Sequence, residues 1–101
     1  MIVEFSLYPL DKGPRLSKYV ARSLDIIDRS GLPYRAGPMG TAVEGGWDEC
    51  FALVKKCYTR MSKDCDRVAL TLKADWRRGA KGRLEGKLSS VETRLGRRLR
   101  R

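Results

Sequence analysis

A glycine-rich stretch at residues 37–46, GPMGTAVEGG, carries the side chains of this sequence that are best suited to binding chemistry. It places one hydroxyl, on Thr41, and one carboxylate, on Glu44, among four glycines and a proline. Glycine at this density is typical of a phosphate cradle, of a tight hairpin, or of a backbone that a ligand approaches closely. The surrounding residues have to distinguish these three uses.

Two known glycine loops can be compared with this stretch. A P-loop ends in G-K-[ST] and opens a helix, whereas Gly40-Thr41 is predicted to lead into a strand and no lysine follows. Residues 37–40 match the G-x-x-G of a KH domain, but that loop lies between helices and this one is predicted between strands. An RNA-binding sheet would need aromatic residues on its central strands, and residues 67–73, RVALTLK, contain none. A hairpin or a ligand-contacting backbone is left.

The residue types that the chain lacks argue against several kinds of catalytic and metal site. The sequence contains no histidine, which removes the usual imidazole base, the Ser-His and Cys-His pairs and the commonest transition-metal ligand. Cys50, Cys57 and Cys65 lack C-x-x-C spacing, so we interpret them as small buried thiols of a reducing compartment. We predict no catalytic residue, no metal ion and no cofactor, although burial of Glu44 would still permit acid or base chemistry.

Hydrophobic periodicity indicates the elements that must position these groups. Residues 2–7 predict a buried strand, and apolar residues at helical spacing predict a helix that Ser17 caps and Gly31 stops. Residues 34–36 and 41–43 predict two short strands joined as a hairpin. Residues 1–31 are therefore predicted to form a strand and a helix, and the glycine-rich stretch belongs to the hairpin that follows them.

The second half of the chain repeats this order. An apolar stripe predicts a helix over 47–61, alternation at 68–72 predicts a strand with one buried face, and a leucine-valine stripe predicts a helix over 84–95. The order βαββαβα predicts an α+β fold of ferredoxin-like type, with a four-stranded antiparallel sheet and an extra C-terminal helix. We expect one domain over residues 1–101, with the third helix or a second subunit covering the open face of the sheet.

The net charge of +10 is concentrated near the C-terminus. Residues 1–76 hold 12 basic and 10 acidic side chains, whereas residues 77–101 hold 10 basic and 2 acidic ones. The basic segment, about 81–101, could be a solvated end, a helix that docks on a partner subunit, or a surface that holds RNA by electrostatics. We favour the first two. One flank of the predicted helix carries basic side chains and the other carries acidic ones: Arg83, Lys87, Arg94 and Arg101 against Glu85 and Glu92.

The location follows from what the sequence does not contain. No apolar run approaches the roughly 20 residues that span a bilayer. The first ten residues carry an acidic side chain and no basic cluster, which is typical of a strand and not of a signal peptide. We therefore expect a cytoplasmic protein with no membrane association.

Three segments carry a resemblance to a known family. SKYVARSLDIIDR at 17–29, SGLPYRAGPMGTAVEG at 30–45 and RVALTLKADWRR at 67–78 resemble the small thiamine-binding proteins of bacteria and archaea, long catalogued as uncharacterised conserved proteins. The likeness extends over nearly the whole chain. It implies a ferredoxin-like fold, association through the sheets into dimers and tetramers, binding of thiamine or its hydroxymethylpyrimidine part, and no established catalytic activity.

The resemblance also implies site residues. Those that match its MGTxxEG and K-x-D-x-R motifs are Met39, Gly40, Thr41 and Glu44, and Lys73, Asp75 and Arg77. An aminopyrimidine offers an amine donor and ring-nitrogen acceptors, which a carboxylate and a hydroxyl held close together would satisfy. We therefore expect Glu44 to be the main polar anchor and Thr41 a weaker one, with apolar surface from Met39, Tyr8 or Trp76. The second motif could instead be an ion-paired strand edge, and Trp76 departs from the family pattern.

The resulting functional expectation is non-enzymatic binding of thiamine or a related hydroxymethylpyrimidine. The binding protein would be a homo-oligomer, a tetramer built from sheet-paired dimers, because an open sheet face and a free strand edge need cover. The alternative is a ferredoxin-like module that binds nucleic acid through its basic C-terminal helix.

Overall fold

Seven regular elements follow one another in the computed structural model, which describes residues 1–100. They are β1 (Ile2–Pro9), α1 (Ser17–Arg29), β2 (Tyr34–Gly37), β3 (Gly40–Glu44), α2 (Trp47–Met61), β4 (Val68–Asp75) and α3 (Arg83–Leu95). The predicted α+β class is confirmed, with the βαββαβ order followed by an additional helix.

The four strands form one antiparallel sheet in the order β2-β3-β1-β4. β1 pairs with β4 along its whole length, from Ile2 to Pro9, but with β3 only from Ile2 to Phe5. β2 and β3 form a hairpin whose last pair is Gly37 with Gly40. The second half of β1 therefore has a strand neighbour on one side only.

Side-chain alternation divides the sheet into a face covered by α1 and α2 and an open face. Val3, Phe5 and Leu7 of β1 are at most 6% exposed and belong to the core. Their partners in β4 share this face, which confirms the predicted alternation: Leu72 lies opposite Phe5 and Leu70 opposite Leu7. Leu70 nonetheless remains 47% exposed, because β4 is the edge strand of the sheet.

The core between the sheet and the two helices includes the cysteines. Cys50 and Cys57 lie on the buried side of α2, as predicted, and Cys65 is buried just beyond it. Burial raises the pKa of the Cys57 thiol to about 11 and also raises that of Cys50. A thiol that stays protonated is a poor nucleophile, so these residues act as small apolar side chains.

The helix starts differ in one detail from the prediction. Ser17 is the first residue of α1, the N-cap position belongs to Leu16, and no side chain caps the helix. At the start of α2, the carboxylate of Glu49 accepts the Gly46 backbone N–H at 2.9 Å, so an acid of the first turn serves that end. Ser17 therefore predicts correctly where α1 begins, but its side chain does not cap the helix.

The third helix lies on the open face of the sheet, against β3. None of its residues is buried, and Val91 and Leu95 of the predicted stripe are 45% and 51% exposed. α3 therefore covers only one end of the open face. Arg101, which the helical wheel assigned to the basic flank, lies outside the described residues. No helix among residues 1–100 has the length and apolar character needed to span a membrane.

Candidate functional site

A cavity of about 330 Å³ opens between α1, the tip of the β2–β3 hairpin and the second half of β1. It adjoins the part of β1 beyond Phe5, with which β3 does not pair. Its walls come from the following residues: Phe5, Ser6, Leu7 and Tyr8 of β1; Leu16, Val20, Ser23, Leu24 and Ile27 at α1; and Gly37, Pro38, Met39, Gly40 and Thr41 of the hairpin. The cavity therefore lies where the hairpin ends, before it reaches the second half of β1.

Two hydroxyl residues supply side-chain polarity within the buried part of this cavity. Thr41 of β3 and Ser23 of α1 are each 8% exposed. The Ser23 Oγ is buried and has no hydrogen-bond partner among the described residues, while the Ser23 carbonyl accepts a long bond from the Cys57 thiol at 3.9 Å. A buried hydroxyl is normally hydrogen-bonded, so an unpaired one on a residue that lines a cavity is a candidate ligand contact.

The cavity carries no formal charge. No Asp, Glu, Lys or Arg is among its lining residues. Apolar side chains of α1 form one wall, and Met39, 87% exposed at the hairpin tip, borders the opening. Such a site suits a neutral, flat molecule with a few polar atoms at its edge.

Close backbone contact explains the glycines of the hairpin. A Cβ atom added to Gly40 would lie 3.0 Å from the carbonyl oxygen of Phe5, and one added to Gly37 would lie 3.3 Å from the carbonyl oxygen of Gly40. The first distance is too short for any other residue without movement of β3 away from β1. Of the three uses that dense glycine suggested, the tight hairpin is the one whose geometry is present here.

The predicted site residues fall into two groups on opposite faces of the sheet. Met39, Gly40 and Thr41 line the cavity. Glu44 does not, because it follows Thr41 by three residues and an odd separation in a strand reverses the side-chain direction. The expectation that Thr41 and Glu44 lie close together is therefore wrong.

The Glu44 carboxylate faces α3 and caps its N-terminus. Its Oε2 accepts the Arg83 N–H at 2.8 Å and its Oε1 accepts the Leu84 N–H at 3.2 Å. The first amides of a helix have no partner within it, and the helix dipole favours a negative charge at this end. The Glu44 carboxylate thus binds the backbone of α3, a contact that the sequence analysis did not predict.

The second predicted motif surrounds the same helix. Asp75 accepts hydrogen bonds from the Arg83 guanidinium at 2.8 Å and from the Lys87 ammonium at 2.5 Å. The bond from Arg83, followed by that from Lys87, lowers the pKa of Asp75 to about 2. Lys73 lies 3.7 Å from Glu4 on the open face. The alternative of an ion-paired strand edge therefore describes Asp75 and Lys73.

The remaining predicted contacts are distributed unevenly. Tyr8 and Met39 border the cavity, whereas Trp76 does not and is 57% exposed beside the Arg78 guanidinium, 5.3 Å from its ring centre. Arg77 is exposed, beyond the end of β4, and does not line this cavity. Residues 1–100 hold no cluster of three or more Cys, Asp or Glu side chains arranged to hold a metal ion.

Sequence reasoning missed the contribution of α1. Ser23 lies three residues after Val20 and four before Ile27, so it belongs to the same helix face as the apolar stripe. A serine on the apolar face of an amphipathic helix was the available signal.

Comparisons with known proteins agree on one family. The family model described as "Thiamine-binding protein" matches residues 3–92. The UPF0045 protein MJ1052 of Methanocaldococcus jannaschii is 33% identical over 91 residues, covering 90% of this chain and 91% of the relative. A UPF0045 protein of Mycobacterium bovis is 32% identical over 96 residues, covering 94% of each.

Solved structures show the same similarity. A crystal structure of the Methanocaldococcus protein superposes with a TM-score of 0.82, covering 89% of this chain and 93% of the other. A Thermotoga maritima protein, described as a candidate for thiamine biosynthesis or salvage, superposes with a TM-score of 0.78 at 28% identity, covering 89% and 96%.

Proposed function

We propose that this chain, which belongs to the thiamine-binding protein family, binds the pyrimidine part of thiamine, or free hydroxymethylpyrimidine, in the cavity between α1 and the β2–β3 hairpin. The observation that carries this proposal is the buried hydroxyl of Ser23, which has no partner among residues 1–100 and belongs to a residue that lines an uncharged cavity together with the buried Thr41. Thiamine chemistry is further supported by the description of the Thermotoga relative.

The cavity and the ligand have matching sizes and polarities. A volume of about 330 Å³ is near the lower end of the roughly 300–1,000 Å³ found for small-molecule sites. It fits one substituted ring better than two linked rings. Hydroxyls can both donate and accept, so Ser23 and Thr41 can serve an amine, a ring nitrogen or the hydroxymethyl group. The cationic thiazolium of thiamine would extend from the opening, since the lining offers it no counter-charge.

Met39, Gly40 and Thr41 stay in the proposed ligand site. The contacts of the other predicted residues, described above, favour structural roles. Glu44 as a ligand anchor remains a hypothesis, in which the ligand would compete with the backbone of α3 for the carboxylate. For Lys73, Asp75 and Arg77 we propose the strand-edge role weighed above.

Binding without chemical transformation is part of this proposal. The lining contains no carboxylate, amine or thiol that could act as a general acid, base or nucleophile. Nucleic acid is a weaker candidate partner, because Arg83 and Lys87 of the basic flank are already paired with Asp75. The three free, buried thiols are compatible with the reducing cytoplasm that we propose as the location.

We also propose that the open sheet face is covered in a homo-oligomer, a tetramer of sheet-paired dimers. α3 leaves most of that face bare, and β2 and β4 are both edge strands. Light scattering coupled to size exclusion should give a multiple of 11.5 kDa. A monomer at every micromolar concentration would contradict the tetramer but not the ligand site.

Calorimetric titration of the full chain with hydroxymethylpyrimidine and with thiamine tests the ligand. We expect both to bind, and Thr41→Val to weaken both by about two- to tenfold, the loss of one neutral hydrogen bond. Ser90→Ala, on the exposed surface of α3, is the control and should leave both affinities unchanged. No heat and no competition from either compound would overturn the proposed function.

A further inference from the structure

The second half of β1 directs main-chain groups towards the side of the sheet on which β3 lies, as its hydrogen-bonding pattern shows. Leu10, which follows the strand, donates its N–H to the Arg67 carbonyl beside the start of β4. Along a strand, alternate residues direct their N–H and C=O to the same side. The N–H and C=O groups of the even-numbered residues of β1 therefore point towards β4, and those of the odd-numbered residues point towards β3.

A second observation gives the same assignment. The Phe5 carbonyl oxygen lies 3.0 Å from the position of a Cβ on Gly40, the first residue of β3, so Phe5 directs its carbonyl towards β3. Leu7 repeats this orientation two residues later. The pairing of β1 with β3 ends at Phe5, however, so no strand of residues 1–100 lies opposite Leu7 on this side.

The next odd-numbered residue limits this free edge. Pro9 has no N–H, so at this position β1 can offer a neighbour a carbonyl acceptor but no donor. One residue, Leu7, is left with a complete donor and acceptor pair on the side of the cavity, and it lines that cavity.

We infer that the Leu7 N–H and C=O form the polar recognition element of this cavity, and that they hold a planar heterocycle by an edge with a ring-nitrogen acceptor beside an amine donor. In an antiparallel pair, two opposite residues exchange both of their N–H···O bonds. An aminopyrimidine edge offers the same pair of complementary groups and would take the place of the missing β3 residue. This inference rests on the proposed function and specifies the ligand class of that same site.

The inference adds a reason for selectivity. Leu7 presents one donor and one acceptor whatever the side chains around it, so recognition depends on the ligand's own edge. A ring whose amine is doubly methylated keeps its shape but has no donor for the Leu7 carbonyl. Ser23 and Thr41, on neighbouring walls, would then bind the substituents of the ring.

Amide hydrogen exchange of the uniformly ¹⁵N-labelled full chain tests this, with hydroxymethylpyrimidine as the probe. If the ligand pairs with Leu7, exchange of the Leu7 amide should slow by about a hundredfold at a free ligand concentration of 100 times Kd. Val3, an odd-numbered residue already opposite β3, is the internal control and should change far less. The 4-dimethylamino analogue should bind at least several-fold more weakly.

The outcomes separate this inference from the proposed function. If calorimetry shows no binding, the proposed function fails. If the ligand binds but leaves the Leu7 amide unchanged, or protects Val3 and Leu7 equally, the ligand site stands and the main-chain inference is wrong. Strong protection of Leu7 in the ligand-free protein would mean that another segment occupies the edge, which would also overturn the inference.

Discussion

Replacing Ser23 with alanine should stabilise the protein and weaken its ligand at the same time. The Ser23 hydroxyl is buried with no partner among residues 1–100, and an unsatisfied buried polar group costs about 1–3 kcal/mol. Alanine removes that cost and is also the better helix former by up to about 0.7 kcal/mol. Only one oxygen atom is lost, from a residue that lines an existing cavity. We expect a gain of about 1–2 kcal/mol in the free energy of unfolding.

The binding loss follows from the same hydroxyl. Since the free protein has already removed it from water, a ligand that bonds to it gains nearly the whole interaction, near the upper end of about 0.5–1.5 kcal/mol. Ser23→Ala should therefore raise Kd by about three- to tenfold. Its melting temperature, for a domain of about 100 residues, should rise by roughly 5–10 °C.

Two measurements on the purified variant decide this. Differential scanning calorimetry gives the melting temperature without ligand, and titration calorimetry gives Kd for hydroxymethylpyrimidine, with Ser90→Ala as the exposed control. A lower melting temperature would show that the Ser23 hydroxyl has a partner within the protein. An unchanged Kd would show that it does not face the ligand, and the observation that carries the proposed function would be lost.

Three further predictions concern the hairpin and the attachment of α3. Gly40→Ala should destabilise the protein by about 1–3 kcal/mol in denaturant unfolding, because the new Cβ meets the Phe5 carbonyl at 3.0 Å; unchanged stability would mean that β3 moves freely. Glu44→Gln should speed amide exchange at the start of α3 but change ligand affinity less than twofold; a loss of tenfold or more would restore Glu44 as the ligand anchor. Asp75 has a folded pKa of about 2, below its ordinary 3.8, so the unfolded chain binds more protons between these values and stability falls as pH drops from about 4 to 2. Asp75→Asn should remove this part of the acid dependence in circular dichroism melts, and an identical pH profile for the variant would refute it.

Much of the fold follows from local patterns in the sequence. The alternation of β1 and β4 and the apolar face of α1 are properties of neighbouring residues, and each element formed where its period predicts. The opposite orientation of Thr41 and Glu44 was equally available, because it needs only the two-residue period of a strand. A shared motif therefore does not place two residues in one site unless both lie on the same face of the strand.

The surroundings of Glu44 could not be predicted in this way. Its partners are the amides of Arg83 and Leu84, about 40 residues further along the chain. Whether α3 docks there depends on the length and turns of residues 76–82 and on Asp75 meeting Arg83 and Lys87. No local pattern encodes such a long-range contact. For the same reason, the unpaired edge at Leu7 becomes visible only when strand register is known.

The proline at the end of β1 has a consequence for the behaviour of the protein at high concentration. An exposed strand edge with free N–H and C=O groups is a template on which other chains can add strands, the first step of amyloid growth. A new strand needs several consecutive ladder bonds to hold. Because Pro9, two residues beyond Leu7, has no N–H, and the hairpin occupies the edge as far as Phe5, an incoming chain finds a single position with both a donor and an acceptor. The gap is wide enough for a small molecule and too short to nucleate a fibril.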